Sequence, residues 1–441
     1  MYLVYSMLLS VGTILMAPFY WWQKGRGQKR GYWAERFGSI PFQEASAGAI
    51  WVHAVSLGET LAVAGLVKEM QRMFPERKIY LSHITPAGRA AGEARLPSVA
   101  GRFYLPLDWR WAVRKALARI KPSLLVIVET ELWPNLLRAA QEAGARVVMV
   151  NARMSKRSLR GYRLARPFLR RVLASVDQVC AQTEEDAERF RQIGAQPERV
   201  RVVGNLKFDA QPPQLGEFAR ALKAAIRRAR RGPVLVAAST MPGEEPLVLE
   251  AWDLIRARYP QALLILAPRH PARFQEVSQD LARAQREFAR RTTLPMEEQA
   301  LSRQLASTAI LLLDTIGELA GVFELADLVF VGGSMVPTGG HNLLEPAYWS
   351  KVIAFGPHME NFRDIAKLFL DAGAAIQVRT PEELAHATWL LENKEARERL
   401  GASARQVLEQ NSGATARTLD GLRKYLDRDM RGREPLTHEV K

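Results

Sequence analysis

The alternation of short apolar runs with amphipathic segments constrains the fold of this chain more than any other feature of its sequence. One series of apolar runs lies within residues 49–205, and a second series lies within residues 233–378. Runs of this length, each followed by a helix-like segment, predict strands joined by crossover helices. The strands are nearly continuous in apolar residues, which indicates parallel sheets covered on both faces. The pattern therefore predicts an α/β protein with two doubly wound, Rossmann-like domains.

The sequence also indicates where one domain ends and the next begins. Gln211, Pro212 and Pro213 interrupt the pattern between the two series, so we place the boundary there. The predicted division has four parts: an N-terminal segment over residues 1–22, a first domain over residues 23–212, a second domain over residues 213–425 and a polar tail over residues 426–441.

The N-terminal segment is predicted to be a membrane anchor. Residues 2–22 contain no charged side chain, and a helix of that length reaches ~31 Å, about the hydrocarbon thickness of a bilayer. The run ends in Tyr20, Trp21 and Trp22, and the basic residues that follow within residues 24–30 favour a cytoplasmic location for the rest of the chain. A signal peptide is disfavoured because no charged region precedes the run and no small-residue cleavage site ends it. The helix either spans the membrane or lies shallowly in it.

The charge balance predicts an anionic partner. The chain has 62 Lys and Arg residues against 46 Asp and Glu residues, which gives a formal net charge of +16. Nucleic acid, an acidic membrane and phosphorylated substrates are all attracted by such a charge. Cys180 is the one cysteine, so the sequence excludes an intrachain disulfide and a zinc site built from cysteines.

Polar residues and glycines collect directly after the apolar runs. Open parallel sheets bind ligands at the carboxyl ends of their strands, so these residues are the candidates for chemistry. In the first domain the candidates are Glu59, Glu129, Glu131, Asn151, Arg153 and Lys207. In the second domain they are Ser239, Pro268, Arg269, His270, Ile316, Gly317, Glu318, Asn342, Leu343, Leu344 and Glu345.

Each acidic candidate has a structural alternative. Glu59 suits either a general base or an acid that stabilises the first turn of a helix. Glu129 and Glu131 alternate, so in an extended segment they share a face, either as surface acids or as stabilisers of a cationic transition state. Asn342 and Glu345 lie three residues apart, which suits either contact with one ligand or a simple helix cap.

Several familiar motifs are absent from the sequence. It contains no phosphate-binding GxxxxGK[ST] loop and no GxGxxG after a predicted strand. The seven histidines show no paired metal-ligand spacing, and the one Asp-x-Asp triplet, at Asp427 and Asp429, lies in the polar tail. We therefore predict anion chemistry without a metal ion.

Nine short motifs follow one another along the chain. They are HAVSLGE, ETELWPN, NARMSKRS, GNLKFD, AAST, PRHP, DTIGEL, GGS and GGHNLLEPA. The ordered set resembles the 3-deoxy-D-manno-octulosonic acid (Kdo) transferases of Gram-negative bacteria, from ERFG at residues 35–38 through the second domain. The resemblance implies a GT-B fold, in which the two domains face a cleft. It also implies an inverting glycosyltransferase of lipopolysaccharide biosynthesis, which transfers Kdo from CMP-Kdo to a lipid A precursor of the lipid IVA type.

The same resemblance implies a role for individual residues. Glu59 is the implied general base, and Glu129 and Lys207 are the implied transition-state stabilisers, in a first domain on the acceptor side. The second domain is implied to bind the CMP group of CMP-Kdo through Pro268, Arg269, Ile316, Gly317, Glu318, Asn342, Leu343, Leu344 and Glu345. Two segments, SHITPAG and MPGEE, depart from the family pattern, which affects the expected donor and acceptor contacts.

The implied partners are all anionic. They are CMP-Kdo, the lipid A precursor and the anionic lipids of the bacterial inner membrane, with the catalytic domains on the cytoplasmic face. No metal ion, cofactor or nucleic acid is expected. Two alternatives are a GT-B enzyme that uses a UDP-sugar, either a lipid-linked N-acetylglucosaminyl transferase or an epimerase, and a membrane-tethered basic protein that binds nucleic acid.

Overall fold

A computed structural model describes residues 1–23, 31–42, 47–209 and 214–431. The chain forms two compact units. The first unit consists of Met1–Ala210 together with Asn411–Lys441, and the second consists of Gln211–Gln410. The basic segment at residues 24–30, the predicted boundary at residues 211–213 and the end of the predicted tail lie outside the described residues.

The first unit is built on a parallel sheet of seven strands. The strands are β1 (Ala49–His53), β2 (Ile79–His83), β3 (Gly101–Tyr104), β4 (Pro122–Val128), β5 (Arg146–Ala152), β6 (Gln178–Ala181) and β7 (Val200–Val202). Their order in the sheet is β3-β2-β1-β4-β5-β6-β7, and every pair is parallel. The order reverses between β1 and β4, which is the position where open α/β sheets bind ligands.

Helices cover both faces of this sheet. They are α1 (Tyr2–Gln23), α2 (Tyr32–Arg36), α3 (Leu57–Met73), α4 (Pro86–Arg95), α5 (Arg110–Ile120), α6 (Pro134–Glu142), α7 (Lys156–Leu164), α8 (Arg166–Leu173) and α9 (Glu184–Gln192). Successive side chains of a strand point to opposite faces, so Trp51 belongs to one apolar cluster and its neighbours Ile50 and Val52 belong to the other. All five positions of β1 are buried, which explains its apolar sequence.

The second unit repeats this plan. Its strands are β8 (Val234–Thr240), β9 (Leu263–Pro268), β10 (Phe288–Arg290), β11 (Ile310–Leu312), β12 (Leu328–Val331), β13 (Val352–Phe355) and β14 (Ile376–Gln377). Their order is β10-β11-β9-β8-β12-β13-β14, again with parallel pairs, and it reverses between β8 and β12. The prediction of two α/β domains with parallel sheets is confirmed.

Helices also surround the second sheet. They are α10 (Glu217–Arg228), α11 (Glu244–Arg258), α12 (Phe274–Arg283), α13 (Glu298–Ala306), α14 (Leu319–Val322), α15 (Leu344–Tyr348), α16 (Arg363–Asp371), α17 (Pro381–Trp389) and α18 (Lys394–Gln410). Trp252 of α11 and Phe330 of β12 are among the largest buried side chains of the core that these helices form with the sheet.

The last described helix, α19 (Ala414–Arg431), belongs to the first unit. Its apolar residues Leu419, Leu422 and Leu426 lie in the same cluster as Ile50 and Val52 of β1. This arrangement corrects the sequence-based division, which assigned residues 213–425 to the second domain and began a polar tail at residue 426. Burial of Leu426 shows that the tail begins later.

The first turns of α1 contact the first unit through polar side chains. The hydroxyl of Tyr5 donates a hydrogen bond to Oδ2 of Asp108 at 2.9 Å, and Nδ2 of Asn135 donates to the hydroxyl of Ser6 at 3.0 Å. Within the part of the chain that the structure describes, no helix has both the length and the apolar character needed to cross a membrane. The spanning anchor predicted over residues 1–22 is therefore not supported.

Candidate active site

Glu59 lies in the first turn of α3, directly beyond the carboxyl end of β1. Its Oε2 accepts the backbone N–H of Val55 at 2.8 Å, and its Oε1 accepts the hydroxyl of Ser56 at 2.9 Å. Ser56 caps the helix and accepts the N–H of Glu59 in return. The helix-stabilising role is therefore observed, and the same bonds keep the carboxylate at the point where the strand order reverses, while the role of general base stays a prediction. Burial raises the pKa of Glu59, against the opposing bonds from Val55 and Ser56.

Glu129 follows β4, which is the neighbour of β1 in the sheet. Its backbone has φ of 60°, in the left-handed region that side chains other than glycine adopt at a cost in free energy. Nε of Arg153, beyond the end of β5, donates to Oε2 of Glu129 at 3.0 Å. The charges of both residues act on Glu59. Three neighbouring strand ends therefore place two carboxylates and one guanidinium within electrostatic reach of one another.

Glu131 adds a third carboxyl group to this edge of the sheet. Burial, together with the nearby carboxylate of Glu59, raises the pKa of Glu131 to about 7. Glu131 is therefore partly protonated near neutral pH, whereas an exposed glutamate would be ionised.

The raised pKa of Glu131 predicts a pH-dependent effect of Glu131→Gln on stability. The folded protein favours the protonated carboxyl, so this contribution to stability is complete below the ordinary pKa of 4.5 and is lost as the pH rises through about 7. We expect Glu131→Gln to raise the melting temperature at pH 8 and to leave it nearly unchanged at pH 4.5. Thermal denaturation at both pH values measures this, with exposed Glu398→Gln as the control. A wild-type melting temperature for Glu131→Gln at pH 8 would contradict the prediction.

Lys207 lies in a short 3-10 turn, Leu206–Asp209, that follows β7 at the edge of the sheet. Oδ1 of the buried Asn151 accepts the N–H of Leu206 at 3.0 Å. Asn151 belongs to β5, two strands inward, and has φ of 54°. The bond brings the Lys207 turn toward the strand end that also leads to Arg153.

The start of α19 also contacts this turn, through hydrogen bonds to Asp209. Oδ1 of Asp209 accepts the N–H of Gly413 at 2.6 Å, and its Oδ2 accepts the N–H of Thr415. Nε of Arg417 donates to the carbonyl of Val203 at 2.8 Å, just before the turn. Asp209 thus caps the start of α19 and fixes the backbone next to Lys207.

In the second unit, Arg269 lies directly after Pro268, the last residue of β9. Its backbone N–H donates to the carbonyl of Thr240 at 3.0 Å, and the residue as a whole is exposed to solvent. Burial, followed by electrostatic contributions from Arg269 and His270, lowers the pKa of His341 to about 4. His341 is therefore neutral at physiological pH, and it lies close enough to Arg269 to experience its charge.

Asn342 and Glu345 lie at the start of α15 and contact one another. Nδ2 of Asn342 donates to Oε1 of Glu345 at 3.2 Å, and Oδ1 of Asn342 accepts the N–H of Leu344 at 3.1 Å. The N-cap residue of α15 is Leu343, so Asn342 bonds to the first helical residue from one position earlier than the predicted cap. The side chains of Leu343 and Leu344 are buried in the core, so these two positions present only their backbone to a ligand.

Glu318 follows β11 and forms a bidentate ion pair with Arg291. Nε and Nη2 of Arg291 donate to its carboxylate at 3.0 and 2.8 Å, and the hydroxyl of Thr315 donates to the same carboxylate. Ile316 is 79% exposed, and Gly317 has φ of 90° with no atom within 4 Å of the position that a Cβ would take. The segment therefore forms an exposed turn that is fixed at one end by Arg291.

The predicted residues thus form two groups, one at the carboxyl ends of the strands of each sheet. Arg153 was a candidate from its position after a strand, but its partner Glu129 was not predicted, and His341 lies within the GGHNLLEPA motif but was given no role. Within the described ranges, no group of three or more His, Cys, Asp or Glu side chains is placed to hold a metal ion. Independence from metal ions stays a prediction.

Comparison with known proteins extends this description. Residues 31–210 match the family model described as 3-deoxy-D-manno-octulosonic-acid transferase. The chain is 37% identical to the 3-deoxy-D-manno-octulosonic acid transferase of Bordetella pertussis, over 93% of this chain and 97% of that protein. It is 33% identical to the transferase of the same name from Haemophilus influenzae, over 86% of this chain and 88% of that protein.

A solved structure supports the fold. The UDP-GlcNAc 2-epimerase of Neisseria meningitidis matches 85% of this chain and 100% of its own, with a TM-score of 0.55 and 14% sequence identity. In fold, the two parallel-sheet α/β units resemble the GT-B class of glycosyltransferases and related epimerases. Within that class, the chain belongs to the 3-deoxy-D-manno-octulosonic acid transferase family. It is a Kdo transferase, a glycosyltransferase of lipopolysaccharide biosynthesis.

Proposed function

We propose that the chain transfers Kdo from CMP-Kdo to a hydroxyl of a lipid A precursor of the lipid IVA type. The carboxylates at the reversal point of the first unit are the main support for this proposal. Glu59 takes the proton of the acceptor hydroxyl, whose oxygen forms a bond to C2 of Kdo. The bond from C2 to the phosphate oxygen breaks, and CMP leaves with the bonding electrons. Attack opposite to the leaving group inverts the configuration at C2.

The surrounding charges suit the transition state of this step. As the bond to CMP breaks, C2 of Kdo develops positive charge, which a carboxylate such as Glu129 stabilises. Lys207 offsets the negative charge of the departing phosphate or of the Kdo carboxylate. The bond from Arg153 holds Glu129 in place, so that its carboxylate does not have to reorganise during the reaction.

The strand edge of the second unit is proposed to bind the donor. The guanidinium of Arg269 is exposed and suited to pairing with the phosphodiester of CMP-Kdo. Pro268, Ile316, Gly317, Glu318 and residues 342–345 surround the nucleotide in this proposal, with the backbone of Leu343 and Leu344 as the contacting part. CMP is already a good leaving group, so backbone amides and a cation suffice and no metal ion is required.

A direct assay tests the proposed reaction. The purified chain, incubated with CMP-Kdo and a tetraacylated lipid A precursor in detergent, is expected to release CMP and to yield a product heavier by one or more Kdo residues. UDP-N-acetylglucosamine is expected to release no UDP. A chelator is expected to leave the rate unchanged. Nucleotide release from the UDP-sugar alone would overturn the donor assignment, and inhibition by chelator that Mg²⁺ reverses would overturn the metal-free mechanism.

The exposed face of α1 supports attachment to the cytoplasmic face of the inner membrane. Large apolar side chains of α1 are more than half exposed; they are Leu3, Val4, Met7, Leu8, Val11, Ile14 and Leu15. Tyr5 and Ser6 of the same helix bond to the first unit instead. A helix with one docked face and one exposed apolar face suits the interface of a bilayer, and the net charge of +16 favours anionic lipids.

Charge substitutions on α1 test this attachment. We expect Leu8→Glu combined with Val11→Glu to lower binding to vesicles that contain phosphatidylglycerol by about tenfold or more, because two carboxylates replace apolar contacts in the interface. Activity on detergent-dispersed acceptor should stay near that of the wild type. Co-sedimentation with vesicles measures binding. Leu254→Glu, at an exposed position of the second unit, is the control. Unchanged vesicle binding of the α1 variant would contradict the attachment.

A further inference from the structure

A buried carboxylate in the second unit accepts four backbone hydrogen bonds. Glu244, the first residue of α11, is fully buried. Its Oε1 accepts the N–H groups of Ser334 and Met335, both at 2.9 Å. Its Oε2 accepts the N–H groups of Gly333 at 2.5 Å and Met241 at 2.9 Å. A carboxylate is stable at such a depth only when bonds of this kind replace its hydration.

These four bonds join the two loops on either side of the reversal point of the second sheet. Met241 and Glu244 follow β8, and Gly333, Ser334 and Met335 follow β12, its neighbour. Successive backbone N–H groups that converge in a turn form an anion-binding nest, which in many nucleotide-binding proteins receives a phosphate. Here the side chain of Glu244 fills the nest. The amides of the Gly-Gly-Ser motif are therefore already occupied.

Hydrogen bonds to the carbonyl of Gly333 connect the nest to the segment that contains the candidate donor residues. The carbonyl of Gly333 accepts the N–H of Gly340 at 2.7 Å and the hydroxyl of Thr338 at 2.9 Å. Gly333 has φ of 68°, and a Cβ at this position would lie 3.0 Å from the ring of His341. Glu244 thus fixes Gly333, and Gly333 fixes the segment that leads to His341 and Asn342.

We propose that Glu244 is a positioning residue of the donor site, an internal anion that holds residues 333–335 so that residues 339–345 can receive the phosphate of the donor. The inference rests on the proposed function, because it takes CMP as the ligand of this edge. It assigns the phosphate of the donor to residues 339–345 and not to the backbone amides of the Gly-Gly-Ser motif. Glu244 itself does not touch the donor.

Chemical rescue tests the proposal. Glu244→Ala removes the carboxylate and leaves four unpaired amides around a space of its size. We expect this variant of the full chain to bind CMP more weakly by about tenfold or more in calorimetry, because the donor segment loses its support. Added acetate should fill the nest, raise the melting temperature of the variant and restore part of the CMP affinity, with no such effect on the wild type. Glu250→Ala, at an exposed position of the same helix, should behave as the wild type.

Glu244→Gln keeps the proposal testable if the alanine variant does not fold. Its amide retains one oxygen acceptor and presents an NH₂ group to the remaining amides, so CMP affinity should fall and acetate should not restore it. Wild-type CMP affinity in either folded variant would overturn the positioning role. A rise in melting temperature with acetate but no recovery of CMP binding would also overturn it, while leaving the nest itself established. If the wild type does not bind CMP, the proposed function fails, whereas the effect of acetate on the melting temperature still reports the nest.

Discussion

Glu59→Gln is expected to lower kcat by about 100-fold or more, the largest effect of any substitution considered for this protein. The amide of glutamine cannot take the proton of the acceptor hydroxyl, but its oxygen can still accept the N–H of Val55 while its NH₂ group donates to the hydroxyl oxygen of Ser56. The melting temperature and the affinity for CMP should therefore stay near those of the wild type. Steady-state kinetics with saturating CMP-Kdo, together with thermal denaturation, measure the three quantities.

The pH profile gives a second measurement of the same role. Burial raises the pKa of Glu59, so the wild-type rate should increase with pH through a range above that of an ordinary glutamate, as the base loses its proton. The residual activity of Glu59→Gln should not show this increase with pH. Ser56→Ala is the matched control, because it removes the cap and a bond to Glu59 but leaves the carboxylate. A folded Glu59→Gln variant with wild-type kcat would refute the assignment of the base.

Arg269→Ala is expected to weaken CMP binding by about 10- to 100-fold, the range for loss of a charge-assisted hydrogen bond to a phosphate. The side chain of Arg269 is exposed, so its loss should change the melting temperature of the ligand-free protein little. Calorimetric titration with CMP measures the effect. Removal of this positive charge should also raise the pKa of His341, because the charge contributes to its low value.

Arg283→Ala is the matched control for this prediction. Arg283 lies at the end of α12 with 76% of its side chain exposed, so its removal changes the net charge by the same amount but leaves the strand edge intact. CMP affinity should be unchanged in this variant. Equal losses in both variants would indicate a general effect of charge, and no loss in Arg269→Ala would place the donor phosphate elsewhere.

The fold was predictable because a strand of a parallel sheet that is covered on both faces has apolar residues at nearly every position. All five positions of β1 are buried, and its apolar sequence reports this directly. The place of α19 was not predictable, because the apolar residues of an amphipathic helix report only that one face is covered. That Leu422 and Leu426 pack on the first sheet, where α19 lies against β4 and β5, depends on the tertiary structure of the folded chain.

For the candidate site, the positions of the residues along the chain were predictable in the same way. Position after a strand identified Glu59 and Arg269, because parallel strands bring their carboxyl ends to one edge whatever residues they carry. The partners of these residues were not predictable. Glu244 bonds to Gly333, 89 positions away, and Arg153 bonds to Glu129, 24 positions away. Such pairs depend on tertiary geometry, which no local spacing encodes.

The return of α19 to the first unit has a consequence for synthesis of the chain. The ribosome completes residues 211–410 of the second unit before it translates α19. Until then the nascent first unit lacks the helix that contributes Leu419, Leu422 and Leu426 to the cluster around Ile50. The second unit, although it comes later in translation, is therefore the first that can bury its whole core. A polypeptide released before residue 411 would expose the part of this apolar cluster that α19 covers, over β4 and β5, and become a substrate for chaperones and proteases.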